Sequence, residues 1–192
     1  TVAGTLPCAA DQAVVAVTET SSPNAGTNGT LTLCANSAST NLFLSLGGGA
    51  QAGGTWATPG GAAHSATIDP AVDAAGIYVY TLNATAPCVS DLSQVNVVIN
   101  TAPNAGADAS TSICDQGLAT NLLPLLVGAQ AGGTWTGPGG GAFSGSYDPA
   151  TNASGNYTYT VAGIVPCAAD QAVVTVTETS SPNAGTNGTL TL

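Results

Sequence analysis

The sequence predicts an all-β protein made of tandem β-sandwich repeats of about 80 residues, arranged head to tail. Three observations predict it: self-similarity at that spacing, short runs of β-branched and aromatic residues in each period, and dense turn residues between the runs. Pro23-Asn24-Ala25-Gly26 recurs at Pro103 and at Pro182, offsets of 80 and 79. Pro7-Cys8 recurs at Pro87-Cys88 and Pro166-Cys167, and Ala50-Gln51-Ala52-Gly53-Gly54-Thr55-Trp56 recurs at Ala129 to Trp135. One residue is lost between copies near Gly47–Gly49. Residues 1–33 match 160–192 except at Thr5/Ile164, Leu6/Val165 and Ala16/Thr175, whereas 81–113 is much less similar. The order is therefore A–B–A–B with a period of 159. The expected division is 1–22, the last strands of a preceding repeat; 23–101, a repeat of type A; 102–181, a repeat of type B; and 182–192, the first strand of the next. On this register the chain reads as a window on a longer array.

The elements follow in order. Thr30-Leu31-Thr32-Leu33 alternates as a half-buried strand does. Asn41-Leu42-Phe43-Leu44-Ser45-Leu46 reads as a strand ending at a glycine run, and Leu118 to Leu126 is ambiguous between helix and strand. Thr55-Trp56 follows a Gly-Gly pair suited to a bulge or a close backbone approach. Ile77-Tyr78-Val79-Tyr80-Thr81-Leu82 is β-branched and aromatic, and Gln94 to Ile99 reads as the last strand. Asn28-Gly29, Pro59-Gly60-Gly61 and Asp69-Pro70 supply the turns. About seven strands per period is a sandwich count.

Two segments carry a resemblance. Ala74-Ala75-Gly76-Ile77-Tyr78-Val79-Tyr80, repeated at Ala153 to Tyr159, looks like the tyrosine-corner segment of immunoglobulin (Ig) domains. Tyr80 and Tyr159 stand where the antibody pattern has a cysteine. The order Cys34, Trp56, Cys88 keeps the Cys–Trp–Cys sequence with altered spacing. With Pro-Asn-Ala-Gly, Ala-Gly-Gly-Thr-Trp, Asp-Pro-Ala and Pro-Cys, the whole chain resembles the Ig-like repeats of very large surface proteins of Bacteroidota, associated with gliding motility and type IX secretion. The resemblance implies Trp56, Trp135, Tyr78 and Tyr157 in the core, and a spacer role.

Two cysteine pairings are self-consistent. One lies within repeats, Cys34–Cys88 and Cys114–Cys167, with Cys8 joined to a cysteine upstream. The other crosses junctions, Cys8–Cys34 and Cys88–Cys114. The Ig-like order favours the first, because it closes a sandwich. Loops of that length would contribute about 4 kcal/mol each through loop-closure entropy.

Composition removes several functions. There is no Lys or Arg, against ten acids and one histidine. Nucleic-acid binding, attraction to anionic membrane surfaces and a phosphate-binding P-loop all need those cations. No apolar run is long enough for a membrane-spanning helix. Five regularly spaced cysteines point to an oxidising, extracellular setting.

Candidate sites are few. His64 has Phe143 as its counterpart, so an alternating structural side chain is expected, with no metal or catalytic role. Asp69 and Asp73 could pair for glycoside hydrolysis, but Asn152 replaces Asp73 in the second copy, which argues for a turn. No cofactor is expected; calcium at Asp108, or at Asp69 and Asp73, is the least implausible ligand. The short Pro-Asn-Ala-Gly linker leaves little slack.

The resulting expectation is a non-enzymatic structural repeat of a long extracellular fibre or adhesin stalk, disulfide-stapled and without trypsin sites. Its partners are further copies of the same repeat, in the same chain or a neighbouring one. The alternatives are a self-assembling filament subunit completed by strands of neighbouring chains, or a carbohydrate-binding module. Exposed Trp56 and Trp135 would favour the module; buried ones favour the other two.

Overall fold

A computed structural model describes residues 1–185 and 187–190. The repeat that starts at Pro23 holds seven strands: β1 (Gly29–Cys34), β2 (Thr40–Asn41), β3 (Thr55–Ala57), β4 (Ala63–His64), β5 (Thr67–Ile68), β6 (Gly76–Leu82) and β7 (Asp91–Asn100). The next repeats the order: β8 (Ala109–Cys114), β9 (Thr120–Asn121), β10 (Thr134–Thr136), β11 (Ala142–Phe143), β12 (Ser146–Tyr147), β13 (Gly155–Val161) and β14 (Asp170–Thr179). Each forms a five-stranded sheet, β1-β7-β6-β3-β4 and β8-β14-β13-β10-β11, and a two-stranded sheet, β2-β5 and β9-β12. In the second repeat β8 runs parallel to β14, Ala109 opposite Val174 and Cys114 opposite Thr179, and the β10–β13 and β13–β14 pairs are antiparallel. This is an Ig-like β-sandwich in tandem, as the strand count predicts.

The chain divides into two compact units that interleave in sequence. The first comprises Thr1–Leu31, Thr40–Ile68 and Ala75–Val97; the second comprises Thr32–Ser39, Asp69–Ala74 and Val98–Leu192. In the first, Leu42, Trp56, Ile68, Tyr78, Tyr80, Val95 and Val97 are buried. In the second, the core gathers Leu122, Trp135, Tyr147, Tyr157, Tyr159, Val174 and Val176. The alternation along β14 (Ala172, Val174 and Val176 inward) is what a sheet with one covered face requires.

Three expectations are corrected. The Asn41–Leu46 run is a 3-10 turn over Leu42–Ser45, and Leu123–Leu125 forms its counterpart. The Asn41 side chain accepts from the Phe43 N–H at 2.9 Å and starts the turn. This puts Leu42, fully buried, into the core in place of an alternating face. Residues 1–22, expected as strands, hold only an isolated bridge between Val2 and Asp11. Asp11–Thr20 differs from β14 only at Ala16/Thr175, yet β14 lies between β13 and β8, and Asp11–Thr20 has no such neighbours. At the other end the described residues of 182–192 form no strand; Thr186, Thr191 and Leu192 of that expected strand lie outside the described residues.

Candidate functional site

The cysteines define the most informative cluster. Cys34 is bonded to Cys167, with Cα atoms 5.0 Å apart, inside the second compact unit. Cys8, Cys88 and Cys114 are free thiols. Neither pairing expected from sequence contains this bond. Cys34–Cys88 and Cys114–Cys167 are overturned, and so are Cys8–Cys34 and Cys88–Cys114.

Strand direction explains why. Cys114 ends β8, opposite Thr179 at the far end of β14, whereas Cys167 precedes the first residue of β14 by three positions. Nine strand steps separate the two ends, about 30 Å. The Cys34–Cys88 pair has the same difficulty: Ala35 N–H bonds the carbonyl of Asn100, the last residue of β7, and Cys88 precedes its first, Asp91. In antibody domains the paired cysteines sit on strands facing across the sandwich. Here the first lies on the opening strand and the second in a loop, so they sit at opposite ends of one repeat.

The built junction centres on the end of β7. Asn100 O accepts from Ala35 N–H at 2.9 Å, and Cys167 Sγ lies 3.6 Å from the same oxygen. The Asn100 amide donates to Val165 O at 2.9 Å. A turn closed by Cys167 N–H to Ile164 O, 2.8 Å, presents the second sulfur. Both cysteines are buried, Cys34 at 2% and Cys167 at 6% exposure.

The remaining predicted residues are placed as follows. Trp56 is 5% exposed and Trp135 8%, each tilted against Tyr80 or Tyr159 with ring centroids 5.0 and 4.9 Å apart. Tyr78 and Tyr157 are buried, and the Tyr157 hydroxyl donates to Ala153 O at 2.6 Å, four residues upstream. His64 packs edge-on against Tyr78, where Phe143 packs on Tyr157. Imidazole and benzyl rings thus serve one packing position. Asp73 accepts from Asp69 N–H at 2.7 Å, and Asn152 accepts from Asp148 N–H at 2.8 Å. The two side chains cap the same turn through one oxygen each. Asp108 accepts from Val173 N–H as Asn28 accepts from Gln94 N–H. Among the described residues no group of three or more His, Cys, Asp or Glu is gathered as metal ligands.

A cavity of about 470 Å³ in the first unit is lined by Phe43, Trp56, His64 and Tyr80 among others. Burial of Trp56 leaves little of its ring available for stacking on a sugar. Among the described residues no helix is long and apolar enough to cross a membrane.

Sequence reasoning missed a second cluster, which turns the supposed linker into part of the fold. Asn24 N–H donates to the Gln51 side chain and Gln51 N–H donates back to Asn24 O, both at 2.9 Å. Asp91 accepts from the buried Ala25 N–H at 2.8 Å. Gln130, Asn104, Ala105 and Asp170 repeat the pattern. Gly26 and Gly106 close it at φ of 89° and 90°, a conformation that favours glycine. The signal was available: Gln51 and Asp91 recur in register with the motifs already noticed.

No protein-family profile and no curated protein sequence matches the chain. Solved structures do. An I-band fragment of titin superposes with a TM-score of 0.41 at 12% identity, covering 80% of this chain and 64% of that one. Immunoglobulin domains 1–4 of Sidekick-1 superpose with a TM-score of 0.38 at 12% identity, covering 79% and 47%. A Glu-to-Ala variant of three titin Ig domains gives 0.37 at 12%, covering 79% and 64%. The chain thus spans between about half and two thirds of the structures it is similar to.

Proposed function

We propose that this chain is a non-enzymatic structural segment of a long extracellular fibre or adhesin stalk. The observation that carries the reading is the Cys34–Cys167 bond, which ties the first strand of one sequence repeat to a loop of the next. A covalent tie between successive repeats suits an element that transmits force. A bond that survives belongs to an oxidising compartment. Low charge, with no Lys or Arg, suits exposure to trypsin-like proteases. In this reading the repeats belong with the Ig-like repeats of large Bacteroidota surface proteins that their motifs resemble. Their partners are further copies of the same repeat, and no cofactor is needed.

Antibodies raised against the chain test the localisation. Labelling of intact source cells supports the reading; labelling only after permeabilisation overturns it. A chelator tests the cofactor statement: thermal midpoints with and without it should coincide, and a lowered midpoint would restore calcium.

A second reading, a filament subunit completed by strands of neighbouring chains, is favoured by one observation. Asp11–Thr20 has nearly the sequence of β14 but leaves Val14, Val15 and Val17 more than 80% exposed. The mass of the native polypeptide under reducing denaturation separates the two, hundreds of kilodaltons for a stalk and about that of this chain for a subunit.

A further inference from the structure

We propose that Cys114 and Cys88 are the two halves of a second disulfide of the same kind, formed between Cys114 here and the Cys88 of a further copy of this repeat pair placed after it. The proposal deepens the array reading by naming the partner and the bond.

Three strand ends are equivalent: Thr20, Asn100 and Thr179, related by offsets of 80 and 79. The Asn100 end carries both cysteines. Cys34 arrives from its own repeat, through Ala35 N–H to Asn100 O at 2.9 Å; Cys167 arrives from the next, its sulfur 3.6 Å from that oxygen. The Thr179 end carries the first half. Asp115 N–H bonds Thr179 O at 3.0 Å, and Gly117 N–H closes onto Cys114 O at 2.8 Å, as Ser37 N–H closes onto Cys34 O at 2.9 Å. The Cys114 thiol is exposed and lies 2.9 Å from the Ser181 hydroxyl. The Thr20 end carries the second half. Cys88 Sγ lies 3.3 Å from Thr20 O, and Cys88 N–H closes onto Thr85 O at 3.0 Å, as Cys167 N–H closes onto Ile164 O at 2.8 Å. Each free thiol is therefore held by the backbone contacts that hold its bonded counterpart. The register agrees: one period of 159 beyond Cys88 falls 133 residues after Cys114, the separation of Cys34 from Cys167.

Formation is an oxidation. Two S–H bonds break, one S–S bond forms, and two protons and two electrons leave. The electrons pass by thiol–disulfide exchange to a small-molecule or protein disulfide, which is reduced to two thiols.

The test extends the chain by one period, joining residues 34–192 after Leu192, and oxidises it with a disulfide such as oxidised glutathione. The addition brings four cysteines. The expected result is three alkylatable thiols, the same number as in the shorter chain, with two more disulfides. Peptic peptides should join Cys114 to the Cys88 of the added copy. Five free thiols, or Cys114 bonded elsewhere, overturn the proposal. Two variants of the extended chain guard against scrambling. Cys114→Ser should raise the thiol count to four, and Cys88→Ser in the first copy should lower it to two. A Cys114→Ser count that stays at three or falls overturns it too. Correct thiol counts with labelling confined to permeabilised cells would leave the bond standing and remove the surface fibre.

Discussion

Tyr147 and Glu178 occupy in the second repeat the positions that Ile68 and Ile99 occupy in the first, so a hydrogen-bonded pair stands where the other repeat has two apolar side chains. The Tyr147 ring is fully buried and its hydroxyl donates to the Glu178 carboxylate. Burial, then the hydrogen bond and the negative charge of Glu178, push the Tyr147 phenol well above its ordinary value of 10.0. Burial and the same carboxylate push Tyr157 up as well. The sign follows from linkage: below pH 10 the phenols are protonated in both states and cost nothing. Above it the unfolded chain ionises while the folded one does not, so stability falls as pH rises past about 10. The urea midpoint should be lower at pH 11 than at pH 9. Glu178→Gln removes the charge and leaves the burial. Tyr147 should then ionise at lower pH, read by phenolate absorbance or by the ring resonances of Tyr147; an unmoved titration would mean the carboxylate is not its partner. On the acid side, hydrogen bonds from the Ser181 hydroxyl and backbone hold Asp115 below the usual carboxylate range. Its contribution is present above about pH 3.8 and is lost as pH falls through its folded value.

At the scale of elements, the Gly-Gly pair before each tryptophan shows what the sequence made legible. The Tyr159 hydroxyl accepts from Gly133 N–H and donates to Gln130 O, both at 2.7 Å, and Tyr80 does the same for Gly54 and Gln51. The tyrosine that replaces the Ig cysteine thus pins the loop entering β10. A Cβ on Gly133 would lie 2.5 Å from the Tyr159 ring and 2.6 Å from Thr160 O. Gly133→Ala should cost about 2 kcal/mol, by overpacking against a ring and a backbone that are both fixed. Gly139→Ala, with nothing within 4 Å, should stay within about 1 kcal/mol of the parent. Denaturant midpoints of the two variants check the contrast; equal losses would remove the close-approach argument. Close approach, the turn acids and the strands β1, β3, β6 and β7 were readable because each rests on local chemistry; the two-residue strands β2, β4 and β5 are too short to leave a periodic run. The cysteine pairing was not, because it depends on which end of a ten-residue strand each cysteine reaches. Asp11–Thr20 makes the same point: nearly the sequence of β14, without its neighbours, forms no strand.

For the whole molecule, the position of the disulfide changes how tension travels. A bond inside one repeat would limit the extension of that repeat alone. The Cys34–Cys167 bond instead short-circuits a separation of 133 residues, taking in most of both repeats. Pulled from its ends, the oxidised chain bears force only before Cys34 and after Cys167; everything between is shielded, folded or not. Reduction should release about 460 Å of contour length, at about 3.5 Å per extended residue. Single-molecule stretching with handles at the two termini, with and without a phosphine reductant, measures this. Equal contour lengths in the two states would show that the bond does not carry the force. If the second staple forms as proposed, spans of 133 residues repeat about every 80 and overlap, so every repeat lies within a closed loop. Bonds of the Cys34–Cys167 kind alone reduce the covalent path to the stretch from a Cys8-type to a Cys34-type cysteine, 26 positions, in each 159-residue period, and the second staple adds a parallel path of the same length from a Cys88-type to a Cys114-type cysteine. In the intact repeats that stretch includes the last strand of one repeat and the first strand of the next, which are extended already. An array linked this way should lengthen little even if its sandwiches unfold, and the four-cysteine extension stretched in the same apparatus should show an oxidised contour length greater than that of the shorter chain by about 90 Å, against about 560 Å for the same residues unbridged, at about 3.5 Å per extended residue.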